Sequence, residues 1–189
     1  MTINDVYELI PEHNLLHDEE IKRKCAEAWL EAIELGGWDK KGLENCPLSV
    51  GLMRPDCPSN GLEHIRKVVS TAEVVYNEIG DWLQEMGECE HDIVIAGALM
   101  HDVGKLLEYD IDENGKPVYS KTGKMFRHPV SGAYLCAKHG LPKKVIHIVM
   151  SHSAGLSPHG GKNHPIPESV IVKHADEYIW GSVHLLYGV

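Results

Sequence analysis

The chain has 189 residues, of which 43% are hydrophobic, and this is enough to bury one sizeable core. We therefore expect one domain with an appendage and no more than one active site. With 18 Lys and Arg against 28 Asp and Glu, the formal net charge is −10. A surface of this charge repels phosphate backbones, which argues against a long nucleic acid as a partner.

The sequence shows no sign of export or of a membrane span. Its first residues lack a basic segment followed by an apolar one, and no later stretch reaches the roughly 18 apolar residues of a transmembrane helix. We therefore expect a cytoplasmic protein without a membrane contact. The five cysteines are scattered and form no Cys-x-x-Cys pair, so small buried thiols are their simplest interpretation.

Residues 1–58 are predicted to form an N-terminal helical extension with a connecting loop. Acidic residues 18–20 suit a helix N-terminus, and apolar residues then recur at helical spacing until Gly36-Gly37. Residues 38–61 are rich in Gly, Pro, Asn and Asp, which predicts a long surface connection. The extension packs on the rest of the chain or forms a homodimer contact, and the sequence leaves both open.

Residues 59–189 are predicted to form a second, mainly helical unit. A 3.6-residue period from Leu62 to Leu83 indicates a long helix, and another helix is expected over 92–106 with Asp92 as its N-cap. Residues 107–127 predict a short β-hairpin around an Asn-Gly turn. Further helices are predicted from His128 to Gly140, from Pro142 to about His152, and from Glu168 to about Leu186. The fold class is therefore all-α with a small hairpin insertion.

Histidine is the outlier of the composition. The chain has 13 histidines, about three times what a globular average of roughly 2% would give. Six residues form an ordered series on the predicted helices or at their ends: His64, His101, Asp102, His128, His152 and Asp176. Helical bundles build metal sites from side chains that converge from facing helices. Since imidazole is the commonest metal ligand, the series predicts one or two divalent metal ions.

Asp102 is the residue that could serve two metal ions at once. Adjacent residues of a helix point about 100° apart, so His101 and Asp102 reach one ion only from a helix edge, and Asp102 then keeps a second oxygen to spare. A bridging Asp102 would divide the remaining ligands into His64, His101 and Asp176 at one ion, and His128 and His152 at the other. Open positions would hold substrate and a water whose pKa is lowered toward neutral.

Lys105 lies three residues after Asp102, which places both on one face of a continuous helix. Gly104, just before it, would let a ligand or a backbone approach closely. A lysine beside two metal ions can bind a non-bridging phosphate oxygen as a point charge. We therefore interpret Asp102 and Lys105 as the catalytic residues.

Residues 98–106, Ala-Leu-Met-His-Asp-Val-Gly-Lys-Leu, resemble the His-Asp-x-Gly-Lys signature of the HD superfamily of metal-dependent phosphohydrolases. The order His…His-Asp…His…His…Asp over about residues 60–186 also resembles its two-metal members. The resemblance implies an HD-domain helical bundle whose metal-activated water hydrolyses a phosphomonoester or phosphodiester of a small molecule such as a nucleotide. Fe, Mn, Zn, Ni and Co all suit these ligands, and the ligand types do not choose among them.

Position by position, the resemblance assigns the metal ligands to His64, to the His101–Asp102 pair, to the intermediate histidines His128 and His152, and to the closing Asp176. One departure is visible, because many relatives have a second histidine where Ser153 stands. This puts an additional imidazole near the substrate in doubt.

Two other functions stay open at this point. The same ordered ligands are similar to those of HD-type mixed-valent di-iron oxygenases, which would consume oxygen. A non-catalytic nucleotide-binding module could also keep the core without turnover. Phosphate release without oxygen would distinguish the hydrolase from both.

Other histidines have simpler interpretations. His17-Asp18 and His91-Asp92 are also His-Asp pairs, but each begins a predicted helix and no Gly-Lys follows, so helix capping explains them. His159 and His164 belong to a loop rich in Gly and Pro, where solvation is the simpler interpretation.

Overall fold

A computed structural model describes residues 1–54, 56–153 and 166–189. In chain order its elements are α1 (Ile3–Leu9), a 3₁₀ helix η1 (Pro11–Leu15), α2 (Glu19–Gly36), α3 (Lys40–Glu44), α4 (Gly61–Met86), α5 (His91–Met100), α6 (Lys105–Glu108), β1 (Tyr109–Ile111), β2 (Pro117–Tyr119), α7 (His128–Lys138), α8 (Lys143–Ser151) and α9 (Pro167–Tyr187). The predicted all-α class with a small hairpin is confirmed. Among the described residues, no helix combines the length and the apolar character that a membrane crossing needs.

The long helix predicted from Leu62 is α4. Asn60 caps it, since its side-chain oxygen accepts a hydrogen bond of 2.8 Å from the backbone N–H of Glu63. The apolar stripe that predicted the helix faces inward, with Val68, Val69 and Ala72 fully buried. Through this stripe α4 packs on both α5 and α9.

The central helix α5 is shorter than predicted, and its cap is different. It ends at Met100, and a turn through residues 101–104 leads into the separate short helix α6. The predicted N-cap role of Asp92 is wrong, because Glu90 holds that position. Asp92 instead accepts hydrogen bonds from the backbone N–H groups of His17, at 3.1 Å, and Asp18, at 2.6 Å. The carboxylate thus satisfies donors of another segment and fastens the start of α2 to α5.

The N-terminal residues pack into the same hydrophobic core as the rest of the chain. Trp29 of α2 is buried and donates its indole N–H to the carbonyl of Leu99 at 3.1 Å. Trp38 donates to the carbonyl of Leu106 at 2.7 Å. These bonds tie the segment to both sides of the turn that carries His101 and Asp102.

Residues 38–61 differ from the predicted surface connection. Leu43, Cys46 and Leu48 are buried, and the short helix α3 lies against α4. The carbonyl of Cys46 accepts the first N–H of α4, that of Gly61, at 2.8 Å. Gly, Pro and Asn in this segment therefore mark the turns of a packed segment, because its buried apolar residues anchor it to the rest of the structure.

The predicted hairpin is present. Strands β1 and β2 pair antiparallel, with Tyr109 opposite Tyr119. Gly115 in the connecting turn has a φ of 75°, in the left-handed region that glycine adopts without strain. The hairpin follows α6 directly and contacts it through β1.

Gly104 is pressed against α7. A Cβ added there would lie 2.1 Å from the carbonyl oxygen of His128 and 2.7 Å from the backbone nitrogen of Gly132. Gly104 was expected to permit a close approach, and the group that approaches it is the backbone of α7. This contact helps to set the distance between Asp102 and His128.

We predict that Gly104→Ala lowers the free energy of unfolding by about 1–3 kcal/mol or more, since neither clashing atom belongs to a flexible side chain. Gly181→Ala is the matched control, because no atom of the described part of the chain lies within 4 Å of its added Cβ. Alanine is a better helix former than glycine, so the control is expected to gain up to about 1 kcal/mol. Urea unfolding monitored by tryptophan fluorescence measures both, and equal stabilities would refute the close approach.

Candidate metal centre

The structure brings the six predicted residues together. His64 lies in the first turn of α4, His101 and Asp102 follow α5, and His128 begins α7. His152 follows α8, and Asp176 lies within α9. Five of the six are buried, while the side chain of Asp176 is 18% exposed and faces a cavity.

Asp102 lies at the centre, with one oxygen toward each half of the group. Its Oδ2 is 3.4 Å from His64 Nε2 and 3.3 Å from His101 Nε2. Its Oδ1 is 3.3 Å from His128 Nε2 and 3.5 Å from His152 Nε2. One carboxylate therefore contacts both pairs of imidazoles.

Asp176 joins the first half. Its Oδ1 lies 3.0 Å from His64 Nε2 and 3.9 Å from His101 Nε2. The contacts thus divide the residues into two groups that share Asp102. This is the division predicted above for an Asp102 that bridges two metal ions. His64, His101 and Asp102 each offer one ligand atom, and these three atoms lie within 4.8 Å of one another. The same is true of Asp102, His128 and His152.

Hydrogen bonds on the far side of the rings fix the tautomers of three histidines. His101 Nδ1 donates to the carbonyl of Ala98 at 2.7 Å, and His152 Nδ1 donates to that of Val149 at 2.8 Å. His128 Nδ1 donates to the buried carboxylate of Glu108 at 2.6 Å. Because these oxygens only accept, each Nδ1 carries a proton, and Nε2 is the nitrogen that faces Asp102.

This arrangement fits metal ions. The Nε2 atoms of His128 and His152 lie 3.3 Å apart, and when each ring carries its one proton on Nδ1, no proton lies between them. Two lone pairs at this distance repel each other unless a cation lies beside them. The Nε2 atoms of His64 and His101 are 3.4 Å apart, and the buried Nδ1 of His64 has no hydrogen-bond partner among residues 1–54, 56–153 and 166–189. Imidazole nitrogens with carboxylate oxygens suit divalent transition metals.

The charge states agree with this donor set. Burial lowers the pKa of His128 to about 4, so the ring is neutral near pH 7. Burial alone would raise the pKa of Asp102, but the cation of Lys105 and the ring of His101 lower it well below its ordinary value. For His101 burial acts in the opposite direction and lowers the pKa, but the nearby carboxylates of Asp102 and Asp176 outweigh it, so that the pKa is raised. The centre therefore holds ionised carboxylates, which favour the binding of a cation.

Glu108 is a residue that the sequence analysis missed. It is fully buried at the end of α6, and its Oε2 accepts from both the backbone N–H and the Nδ1 of His128, each at 2.6 Å. Such outer partners orient a ligating histidine and raise its basicity. No local pattern marks Glu108, because it meets His128 only when α6 packs against α7.

Lys105 contacts Asp102 in a different way from that expected. It begins α6 after a turn, so the two residues do not share one continuous helix. Its ammonium lies 2.6 Å from Asp102 Oδ2 and donates to the carbonyl of Leu48 at 2.9 Å. An ammonium has three donors, which leaves one for a further acceptor. Lys105 also lines the cavity above the centre.

That cavity has a volume of about 360 Å³. Asp102, His128, His152 and Asp176 form its floor. Its walls include Tyr109, Arg127 and Trp180. His159 and His164, proposed above as solvated, lie outside the described residues.

The other two His-Asp pairs meet each other away from the cavity. The rings of His17 and His91 stack with centroids 4.6 Å apart, and His91 Nδ1 is 2.9 Å from Asp92 Oδ1. Asp18 caps α2 as expected, since it accepts from the N–H groups of Glu20 and Ile21. These contacts join the start of α2 to the start of α5. They give both His-Asp pairs a structural role.

The shared position of Asp102 leads to a prediction about metal content. Asp102→Ala is expected to lose metal from both groups, whereas His64→Ala and His152→Ala each lose metal from one. Elemental analysis of protein purified without chelator measures the ions per chain, with thermal unfolding as a check that each variant is folded.

His139→Ala is the control for these variants, because His139 pairs with Glu31 at 2.7 Å on another face of the molecule. It should keep the metal content of the unchanged chain. If His152→Ala also keeps that content, His128 and His152 hold no ion.

Comparison with known proteins agrees with this geometry. Ribonuclease Y of Pseudothermotoga lettingae is 27% identical over 117 residues, which are 62% of this chain and only 18% of the length of that protein. No solved structure matches the chain. A family model described as the HD domain matches residues 61–181, which is more than half of the chain. The chain therefore belongs to the HD domain family, in the superfamily of metal-dependent phosphohydrolases that the sequence resembles.

Proposed function

We propose that this protein is a metal-dependent phosphohydrolase that cleaves a phosphomonoester or phosphodiester bond of a small molecule, a nucleotide. The observation that carries the proposal is the convergence of histidine Nε2 atoms and two carboxylates beneath one cavity of about 360 Å³. A core that serves only stability has no need to bring the Nε2 atoms of His128 and His152 within 3.3 Å of each other, whereas two ligands of one metal ion do.

The ligands proposed for one divalent ion are His64, His101, Asp102 and Asp176, and those for a second ion are Asp102, His128 and His152. Bound ions would supply an activated water and positive charge that stabilises a phosphate oxyanion. The protein contributes the fixed orientation of the ligands. The carbonyls of Ala98 and Val149 and the carboxylate of Glu108 hold three of the rings with Nε2 toward the cavity floor.

Lys105 is proposed to hold a non-bridging oxygen of the phosphate. Two of its three N–H donors are directed to Asp102 and to Leu48, so the ammonium is fixed, and its third donor has no acceptor among the residues that the structure describes. Because the lysine is buried at the cavity wall, its positive charge acts on a substrate phosphate with little screening by water.

The cavity favours a single small molecule. Its volume is near the lower end of the roughly 300–1,000 Å³ typical of small-molecule sites. Trp180 stacks on His184 with ring centroids 4.5 Å apart, which holds the indole as a flat wall suited to a nucleobase. Ribonuclease Y acts on RNA by its name, but the net charge of −10 here opposes a polymeric substrate.

We predict that the protein, loaded with the metal found by elemental analysis, releases phosphate or a phosphomonoester from small nucleotides under anaerobic conditions. Chelation should abolish the activity, and Asp176→Ala should reduce it strongly, whereas His139→Ala should leave it unchanged. A short RNA included in the substrate screen is expected to be cleaved poorly.

Two outcomes of that screen would contradict the proposal. Turnover that requires oxygen, with oxygen consumed in proportion, would identify a di-iron oxygenase. Tight nucleotide binding without any product after long incubation with several metals would identify a binding module.

Lys105→Met tests the phosphate-binding role, since methionine keeps the unbranched shape and most of the length of the side chain and removes the charge. We expect kcat to fall by more than about tenfold, as when one oxyanion donor is lost. The metal content should stay unchanged, because Lys105 supplies no ligand atom. Steady-state kinetics and elemental analysis measure the two effects, and an unaffected kcat would remove Lys105 from the catalytic residues.

A further inference from the structure

Arg127 lines the cavity beside the proposed metal centre. Apart from Lys105, it is the one Lys or Arg among the described residues of the cavity wall. It immediately precedes His128, and its side chain is 53% exposed. Its charge therefore faces the space above the floor of the cavity.

One buried carboxylate holds Arg127 in place. The Nε of Arg127 donates to Oε1 of Glu108 at 2.6 Å, while Oε2 of the same carboxylate accepts from His128 Nδ1 at 2.6 Å. Arg127 and the His128 ring are thus fixed relative to each other by the two oxygens of Glu108. The position of the guanidinium is set by the same group that aims His128 Nε2 at Asp102.

The remaining donors of Arg127 are unused within the described part of the chain. A guanidinium has five N–H donors, and the contact with Glu108 engages the one on Nε. The four N–H bonds of the two terminal nitrogens form a planar fork that matches the oxygens of a phosphate. An arginine fixed through Nε, with this fork at a cavity wall, is arranged to bind an anion.

We propose that Arg127 forms an anion subsite that binds a second phosphate group of the substrate, next to the phosphate held at the metal centre. The inference rests on the proposed phosphohydrolase function and narrows it to substrates with two neighbouring phosphates, such as a nucleoside diphosphate. Lys105 contacts the phosphate over the metal ligands, and Arg127 contacts the phosphate beyond it.

A purely structural role is the competing explanation for Arg127. If it only supported Glu108, its removal would disturb His128 and reduce metal binding and all anion binding together. If it binds a second phosphate, its removal would weaken only the ligands that carry two. The two explanations therefore differ in a ratio of affinities.

The experiment measures anion binding without turnover. Metal-loaded protein is titrated calorimetrically with inorganic phosphate and with methylenediphosphonate, whose P–C–P bridge resists hydrolysis. We expect Arg127→Gln to weaken diphosphonate binding by about tenfold or more, the order expected for the loss of a bidentate charged contact. Phosphate affinity and metal content should stay unchanged. Arg127→Lys, which keeps the charge but lacks the fork, should give an intermediate loss.

Arg66→Gln is the matched control. Arg66 also binds a carboxylate through Nε, at 2.9 Å from Glu12 Oε1, but it lies on α4 outside the cavity wall. It should bind both anions like the unchanged chain. Equal losses for phosphate and diphosphonate in Arg127→Gln, or a loss of metal, would overturn the subsite, as would a diphosphonate affinity that no Arg127 variant changes.

This result is separable from the test of the proposed function. If no ester is hydrolysed but Arg127→Gln selectively loses diphosphonate, the phosphohydrolase proposal fails while the anion subsite stands. If esters are hydrolysed and the selective loss is absent, the subsite fails while the hydrolase stands.

Discussion

The carboxylate of Asp102 contacts every imidazole of the candidate metal centre, and the rest of the site is arranged around it. Its two oxygens face two different pairs of histidines at 3.3–3.5 Å. A buried carboxylate is costly unless cations or donors compensate it. Lys105 provides one such cation at 2.6 Å, and metal ions between Asp102 and the histidines would provide the others.

Helix ends position the ligands around this carboxylate. His101 and His152 each follow the last residue of a helix and donate Nδ1 to a carbonyl three residues earlier. Carbonyls of a last turn have no intrahelical N–H partner, so the histidine satisfies the helix end while the helix fixes the ring. His128 begins a helix instead, and the carboxylate of Glu108 replaces the carbonyl. The same physical requirement, a paired Nδ1, is thus met by two different local structures.

The N-terminal residues take part in this support. Leu48 accepts from Lys105, Trp29 bonds to Leu99 and Trp38 bonds to Leu106. These contacts hold the α5–α6 turn in place. A segment predicted as an appendage therefore shares the core of the HD domain and fixes its central turn, whether or not it also forms a dimer contact.

The sequence by itself determined the helical class, most helix bounds, the hairpin and the ordered series from His64 to Asp176. The hydrophobic period, the turn residues and the His-Asp-x-Gly-Lys pattern each involve residues that are close in the chain. Such patterns can be recognised without knowledge of the fold. The metal-binding roles of the series stay predictions, although the structure brings all six side chains to one place.

Only the tertiary structure decided the contacts of Asp92, Leu48, Glu108 and Arg127. Glu108 acts across 20 residues on His128, and Leu48 acts across 57 residues on Lys105. Asp92 has the sequence context of a helix cap, yet its carboxylate accepts hydrogen bonds from backbone N–H groups 74 and 75 residues away. A hydrogen bond between distant segments depends on which helices pack together, and no short stretch of sequence records that packing.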